Sequence, residues 1–215
     1  MTPSENTVTY TSTNSYTTMN TLSDTTENVW IVLHGLGYLS RYFIKYFDGL
    51  PSDKNYIIAP QAPSKYYLSS AFTHIGASWL TKEDTQRETG NLMGYLDAVL
   101  TAEKLPENCN LIVLGFSQGV SIAARWVAQR KIECDQLVLY AGGIPNELQP
   151  SDFDFLLKND TKVTVIVGDK DEYVTEERRK TESEKIRKLF DGKAEEILFE
   201  GGHEVKRELI NQLIP

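Results

Sequence analysis

The stretch Leu111-Ile112-Val113-Leu114-Gly115-Phe116-Ser117-Gln118-Gly119-Val120, continuing through Ser121-Ile122-Ala123-Ala124-Arg125-Trp126-Val127-Ala128-Gln129, decides how this sequence is read. Four consecutive apolar residues have strand length, Gly-x-Ser-x-Gly follows, and an Ala-rich run of helical character comes after it. This is the arrangement of a nucleophile elbow, a tight strand-to-helix turn that exposes a serine Oγ in a cleft. A serine on such a turn holds strained backbone while neighbouring chain passes close by, so the positions two before and two after it must lack a Cβ. Gly115 and Gly119 meet that demand. The helix that starts there directs unpaired N–H groups and its positive dipole end at the site, which favours developing negative charge.

Working outward, short apolar runs alternate with helical patterns. Val29-Trp30-Ile31-Val32-Leu33 reads as a buried strand closed by His34-Gly35-Leu36-Gly37, and Tyr42, Phe43, Tyr46, Phe47 and Leu50 then fall at helical spacing before Pro51. Tyr56-Ile57-Ile58-Ala59 is the next strand. Residues 61–84 carry Tyr66, Tyr67, Phe72, His74 and Trp79 without a period and read as a long ordered loop, a kind of segment that is more often functional than idle. A helix over Thr85–Lys104 follows, and Pro106-Glu107-Asn108 leads into the elbow strand. Beyond the elbow helix lie strands at Leu137–Tyr140, Val163–Val167 and Glu196–Phe199, a charged helix over Thr175–Phe190, and a terminal helix with Val205, Leu209, Ile210 and Leu213 on one side. Such alternation predicts a mostly parallel central sheet covered by helices on both faces, with any site beyond the carboxyl ends of its strands. The twenty or so residues between Tyr140 and Val163 are too few for a separate cap domain.

The 215 residues fit a single domain over 1–215, with residues 1–27 as an N-terminal hairpin or arm. The hairpin expectation rests on Val8, Tyr10 and Ser12 alternating with Thr9 and Thr11, and on Asn14-Ser15 as a turn before Tyr16–Met19. A net charge of −8 and the lack of a Lys/Arg cluster argue against nucleic acid as a partner. The most basic run, Arg178-Arg179-Lys180, is interleaved with glutamates and reads as a solvated helix face. Cys109 and Cys134 have no metal-ligand spacing and read as reduced structural thiols, although a disulfide between them stays open. With no apparent signal peptide and no run long enough to cross a bilayer, the expectation is a cytoplasmic protein without stable membrane insertion.

A serine hydroxyl needs an adjacent base, ordinarily an imidazole held by a carboxylate. Of the three histidines, His203 follows the last strand in a Gly-Gly turn, His34 precedes the serine, and His74 lies in the irregular loop. The chain order Ser, Asp, His expected for this elbow selects Ser117 and His203, with Asp169 or Asp171 as the acid. The loop His34-Gly35-Leu36-Gly37 suits a different task. Its Leu36 N–H, with the N–H of Gln118, is placed to hold an oxyanion.

Leu33-His34-Gly35-Leu36-Gly37, Gly115-Phe116-Ser117-Gln118-Gly119, Gly168-Asp169-Lys170-Asp171-Glu172-Tyr173-Val174 and Gly202-His203 together resemble the phospholipase/carboxylesterase family of α/β-hydrolases, the group that includes acyl-protein thioesterases. The resemblance spans roughly Val29 to His203. It implies an α/β-hydrolase fold and makes Asp171, the second aspartate of Gly-Asp-x-Asp, the triad acid, with Asp169 supporting the turn. It also aligns Ala77-Ser78-Trp79 with the segment flanking the family's acyl pocket, which makes Trp79 a candidate substrate contact. The chain departs from the family pattern at Val120, where a Gly is usual, at Tyr173, where a Pro is usual, and in its Thr-rich N-terminal entry. The reading is a serine hydrolase acting on a small-molecule acyl ester, with thioester and lysophospholipid as related substrates, and it calls for no cofactor or metal. A non-catalytic ligand-binding protein or a peptidase on the same scaffold is the alternative. Oligomeric state, acyl-chain length and leaving group stay open.

Overall fold

In the computed structural model the chain runs β1 (Tyr16–Met19), β2 (Asn28–Leu33), α1 (Ser40–Phe43), a 3-10 turn at Ile44–Phe47, β3 (Asn55–Pro60), β4 (Ser64–Tyr67), β5 (Ile75–Ser78), α2 (Thr85–Glu103), β6 (Asn110–Phe116) and α3 (Gln118–Arg130). It continues through β7 (Gln136–Tyr140), a 3-10 turn at Pro150–Asp152, α4 (Asp154–Lys158), β8 (Lys162–Gly168), α5 (Glu176–Leu189), β9 (Glu195–Phe199) and α6 (Arg207–Asn211). The structure describes residues 2–106 and 108–214; Glu107, in the connection expected ahead of the elbow strand, lies outside the described residues, as do both terminal residues.

Seven strands form one sheet in the order β1-β3-β2-β6-β7-β8-β9. The pairs from β3 through β9 are parallel, and only β1 runs antiparallel, against β3. Side chains of a strand alternate between faces, and β2 shows the result. Val29, Ile31 and Leu33 enter the core shared with Leu92 and Leu96 of α2 and with Ile122 and Trp126 of α3. Trp30 and Val32 enter the opposite core, with Phe43 of α1, Phe47 and Ile210 of α6. Both faces are covered, so β2, β3 and β7 are buried at every residue. Each fully buried Leu, Ile or Val side chain contributes about 1.5–3 kcal/mol.

At the amino ends of three strands the register is pinned by asparagines. Asn28 pairs with Asn55 on one side and Asn110 on the other. Asn110 Nδ2 donates to Asn28 Oδ1 at 2.9 Å, and Trp30 Nε1 donates to Asn55 Oδ1 at 2.9 Å. Asn55 Nδ2 donates in turn to the Pro51 carbonyl at 3.0 Å. A linked set of polar side chains at the ends of three strands, with its hydrogen bonds made across them, favours a single alignment of the strands.

Two expectations are corrected. Of the hairpin or arm expected over residues 1–27, the described residues form no hairpin: Val8 and Tyr10 are 86% and 80% exposed, and β1 pairs instead with the edge of β3. The Thr-rich alternation offers too little apolar surface to hold a local strand pair, whereas Thr17, Thr18 and Met19 gain a ready ladder on Ala59, Ile58 and Ile57. The second correction falls in residues 61–84, which hold the antiparallel pair β4–β5 rather than an irregular loop. Every residue of β4 is exposed, so no burial rhythm marks it in the sequence. The connection from β7 to β8 holds only the 3-10 turn and α4. Cys109 and Cys134 are free thiols, and burial pushes the Cys134 thiol up to about 12. Among the described residues, no helix is long and apolar enough to cross a membrane.

Candidate active site

Ser117 sits between β6 and α3 at φ 55° and ψ −117°, a conformation costly for a residue with a side chain. The two glycines around it permit the turn. A Cβ on Gly119 would fall 2.0 Å from the Leu33 carbonyl oxygen, and one on Gly115 would fall 2.4 Å from the carbonyl oxygen of Gly119. The turn is held further by the Ser117 N–H, which donates to the Tyr140 carbonyl at the end of β7.

Three carboxyl-terminal loops bring the sequence candidates together. His203 Nε2 lies 2.8 Å from Ser117 Oγ, and His203 Nδ1 lies 2.8 Å from Asp171 Oδ2. The Asp171 side chain is fully buried and that of His203 is 16% exposed. Asp171 Oδ1 accepts the Tyr173 N–H at 2.9 Å, so both carboxylate oxygens are engaged. Asp169 faces elsewhere, its Oδ1 accepting the Gly201 N–H at 2.9 Å. The His203 ring lies between Phe116, with ring centroids 5.1 Å apart, and Tyr173, 4.8 Å away and edge-to-face.

The loop after β2 is built around a buried neutral histidine. His34 Nδ1 donates to the Gly35 carbonyl at 2.8 Å, while Nε2 accepts the Ala62 N–H at 3.1 Å. Burial lowers the pKa of this ring to about 4, against a smaller opposing effect of the Gly35 carbonyl. Gly35 C=O and Leu36 N–H belong to one trans peptide and point in opposite directions. Holding the carbonyl on the His34 ring therefore turns the Leu36 N–H away from it. Among the described residues, neither the Leu36 N–H nor the Gln118 N–H has a hydrogen-bond acceptor. Leu36, Gln118, Ser117 and His203 line one cavity of about 490 Å³.

Trp79 is not at that cavity. It is 1% exposed, its Nε1 donates to the His34 carbonyl at 2.7 Å, and its N–H donates to Gln118 Oε1 at 2.9 Å. The candidate substrate contact is thus placed with its indole buried against the loop that carries Leu36, which it braces. Gln118 Nε2 extends the brace to the Leu80 carbonyl at 2.7 Å. His74, set aside as a base, lies exposed in the β4–β5 connection. Residues that sequence reasoning passed over include Gly142, where a Cβ would fall 2.2 Å from the Ser117 carbonyl oxygen and 2.6 Å from Val120 Cγ2. Val120 thus fills the space that Gly142 leaves. The pair Gly142-Gly143 directly beyond a buried strand was the available signal.

The profile of the family described as serine hydrolase (FSH1) matches residues 53–209. No curated protein matches the chain in sequence. Among solved structures, acyl-protein thioesterase 2 of Zea mays is similar at 16% identity and a TM-score of 0.71, covering 94% of this chain and 96% of its own. A phospholipase/carboxylesterase from Dyadobacter fermentans is similar at 20% identity and a TM-score of 0.65, over 95% of this chain and 98% of its own. Esterase PE8 follows at 21% identity and 0.63, over 94% and 99%. At these identities the likeness is one of fold, the α/β-hydrolase fold.

Proposed function

Because the chain belongs to the serine hydrolase (FSH1) family, we propose that it hydrolyses carboxylic esters through an acyl-enzyme on Ser117, with His203 as base and Asp171 as the acid that orients it. The observation that carries the reading is the unbroken hydrogen-bonded line from Ser117 Oγ through the His203 ring to Asp171. In that line the imidazole accepts the serine proton at Nε2 as Oγ adds to the acyl carbonyl, then returns it to the leaving oxygen. Asp171 holds Nδ1–H and balances the charge of the imidazolium. The unpaired Leu36 and Gln118 N–H groups, the second at the head of α3, supply donors for the oxyanion. Water admitted along the same path then releases the acid.

Thioesters and lysophospholipid esters share this chemistry and fall within the proposed substrate class. The intact line of three side chains favours catalysis over a binding role on the same scaffold. Labelling with a fluorophosphonate probe tests it: the wild type takes the label at Ser117, and Ser117→Ala takes none. No labelling of the wild type under conditions that label a control esterase sinks the proposal.

A further inference from the structure

The cavity beside Ser117 extends beneath α5. Its walls there are Val165 and Val167 of β8, Arg179, Ser183 and Ile186 of α5, and Glu196 of β9. A second cavity, of about 390 Å³, lies farther toward the sheet edge formed by β9 and shares Val165, Val167, Arg179, Ser183 and Glu196 with the first. It adds Ile197 and Leu198, and Leu198 is 55% exposed. An apolar floor thus runs on from the nucleophile under a helix that leaves it partly uncovered. Its rim is charged, with Lys180 and Glu184 at the outer end.

One contact crosses this floor. Ser183 Oγ donates to Glu196 Oε1 at 2.8 Å, and among the described residues it is the only hydrogen bond or ion pair between α5 and β9. Both residues belong to both cavities, so the bond stands where one passes into the other.

We propose that the two cavities form one channel for an unbranched aliphatic acyl chain, and that the Ser183–Glu196 hydrogen bond is the barrier that sets the acceptable chain length. The inference rests on the ester-hydrolase reading. It assigns the acyl rather than the alcohol part of the substrate to the channel for a chemical reason. The acyl group stays bonded to Ser117 after the first step and needs a sheltered apolar surface, whereas the alcohol takes its proton from His203 and must leave. Continuity with the cavity that holds Ser117 and His203 makes the substrate itself the occupant.

The experiment compares p-nitrophenyl esters from acetate to dodecanoate with a series of alkyl acetates, in the wild type and in Ser183→Ala, Glu196→Ala and Ser183→Phe. The readout is the ratio of kcat/KM for decanoate to that for butyrate, so an overall loss of activity does not enter it. The two alanine variants raise the ratio, by about fourfold for each methylene newly laid on apolar surface. The phenylalanine variant lowers it below the wild type. Unchanged ratios in all three variants, or a shift confined to the alkyl acetates, overturn the channel while leaving the hydrolase reading intact. Wild-type inactivity on every ester overturns both.

Discussion

Asp169 and Gly201 are joined by a 2.9 Å hydrogen bond from the Gly201 N–H to Asp169 Oδ1, which ties the turn after β8 to the turn that carries His203. Two residues on, Asp171 meets the His203 ring itself. One aspartate sets the position of the loop and the other meets the imidazole.

The two aspartates are therefore expected to respond differently to loss of charge. Asp171→Asn lowers kcat on p-nitrophenyl butyrate by about 10⁴-fold, because an amide presents the wrong group to Nδ1. Asp169→Asn lowers it by no more than about tenfold and reduces stability by about 0.5–1.5 kcal/mol, the net range for an exposed hydrogen bond. A larger kinetic loss at Asp169 would reassign the acid.

The hydrogen bond from Trp79 Nε1 to the His34 carbonyl leads us to expect that Trp79 acts through the loop rather than through substrate. Trp79→Phe keeps the apolar bulk and removes the Nε1 donor. The loosened Leu36 loop is expected to lower kcat by about 10–100-fold, somewhat less than outright removal of an oxyanion donor, with little change in KM. An effect on KM alone would restore the substrate-contact reading.

His34 makes folding sensitive to acid. Its folded-state pKa is lowered to about 4, from an ordinary value near 6.5. Well above pH 6.5 the ring is neutral in both states and contributes no pH dependence. Between 6.5 and 4 the unfolded chain binds a proton that the folded protein refuses, so stability falls as pH falls, by about 3 kcal/mol at the lower limit. Denaturant titrations across this range measure the slope, and His34→Gln makes it shallower. An identical slope in the variant would show that other groups account for the acid sensitivity.

Glycine substitutions separate the elbow from ordinary helix. Gly119→Ala drives a Cβ into the Leu33 carbonyl and is expected to cost more than about 4 kcal/mol or to abolish soluble protein. Gly90 and Gly94 lie in α2 with nothing within 4 Å of an added Cβ. Gly90→Ala and Gly94→Ala are each expected to stabilise by about 1 kcal/mol in chemical denaturation. Tolerance at Gly119 would show that the elbow can relax.

The parts of the molecule that were legible in the sequence share one physical property. β2, β3, β6, β7 and β8 are largely buried on both faces and therefore read as apolar runs, and the turns after β6, β8 and the more exposed β9 hold Ser117, Asp171 and His203 in the expected order. β4 is hidden because its aromatics face solvent, whereas the strand at Tyr16–Met19 is legible and only its partner is not, because the edge of β3 that pairs with it lies about forty residues away in the sequence. Trp79 shows a different difficulty. Its residue type fits an acyl pocket and a buried brace equally, and only the partners of its two N–H groups distinguish them. The aromatic neighbours of His203 likewise come from the end of β6 and from the turn after β8, which no local pattern links.

The asparagines at the amino ends of β2, β3 and β6 have a consequence at the far side of the sheet. Asn28 and Asn110 are register partners, and five residues later, about 16 Å along the strands, so are Leu33 and Gly115. A slip of one residue would shift the serine turn by about 3.3 Å against the loop bearing Leu36, which is more than a hydrogen bond can stretch and still hold an oxyanion. The polar row thus serves as the zero mark of a ruler whose graduations are peptide units. The alignment of the serine turn with the Leu36 loop is measured out from the blind end of the molecule, and under the proposed function a substitution at Asn28 is expected to detune chemistry that it never approaches.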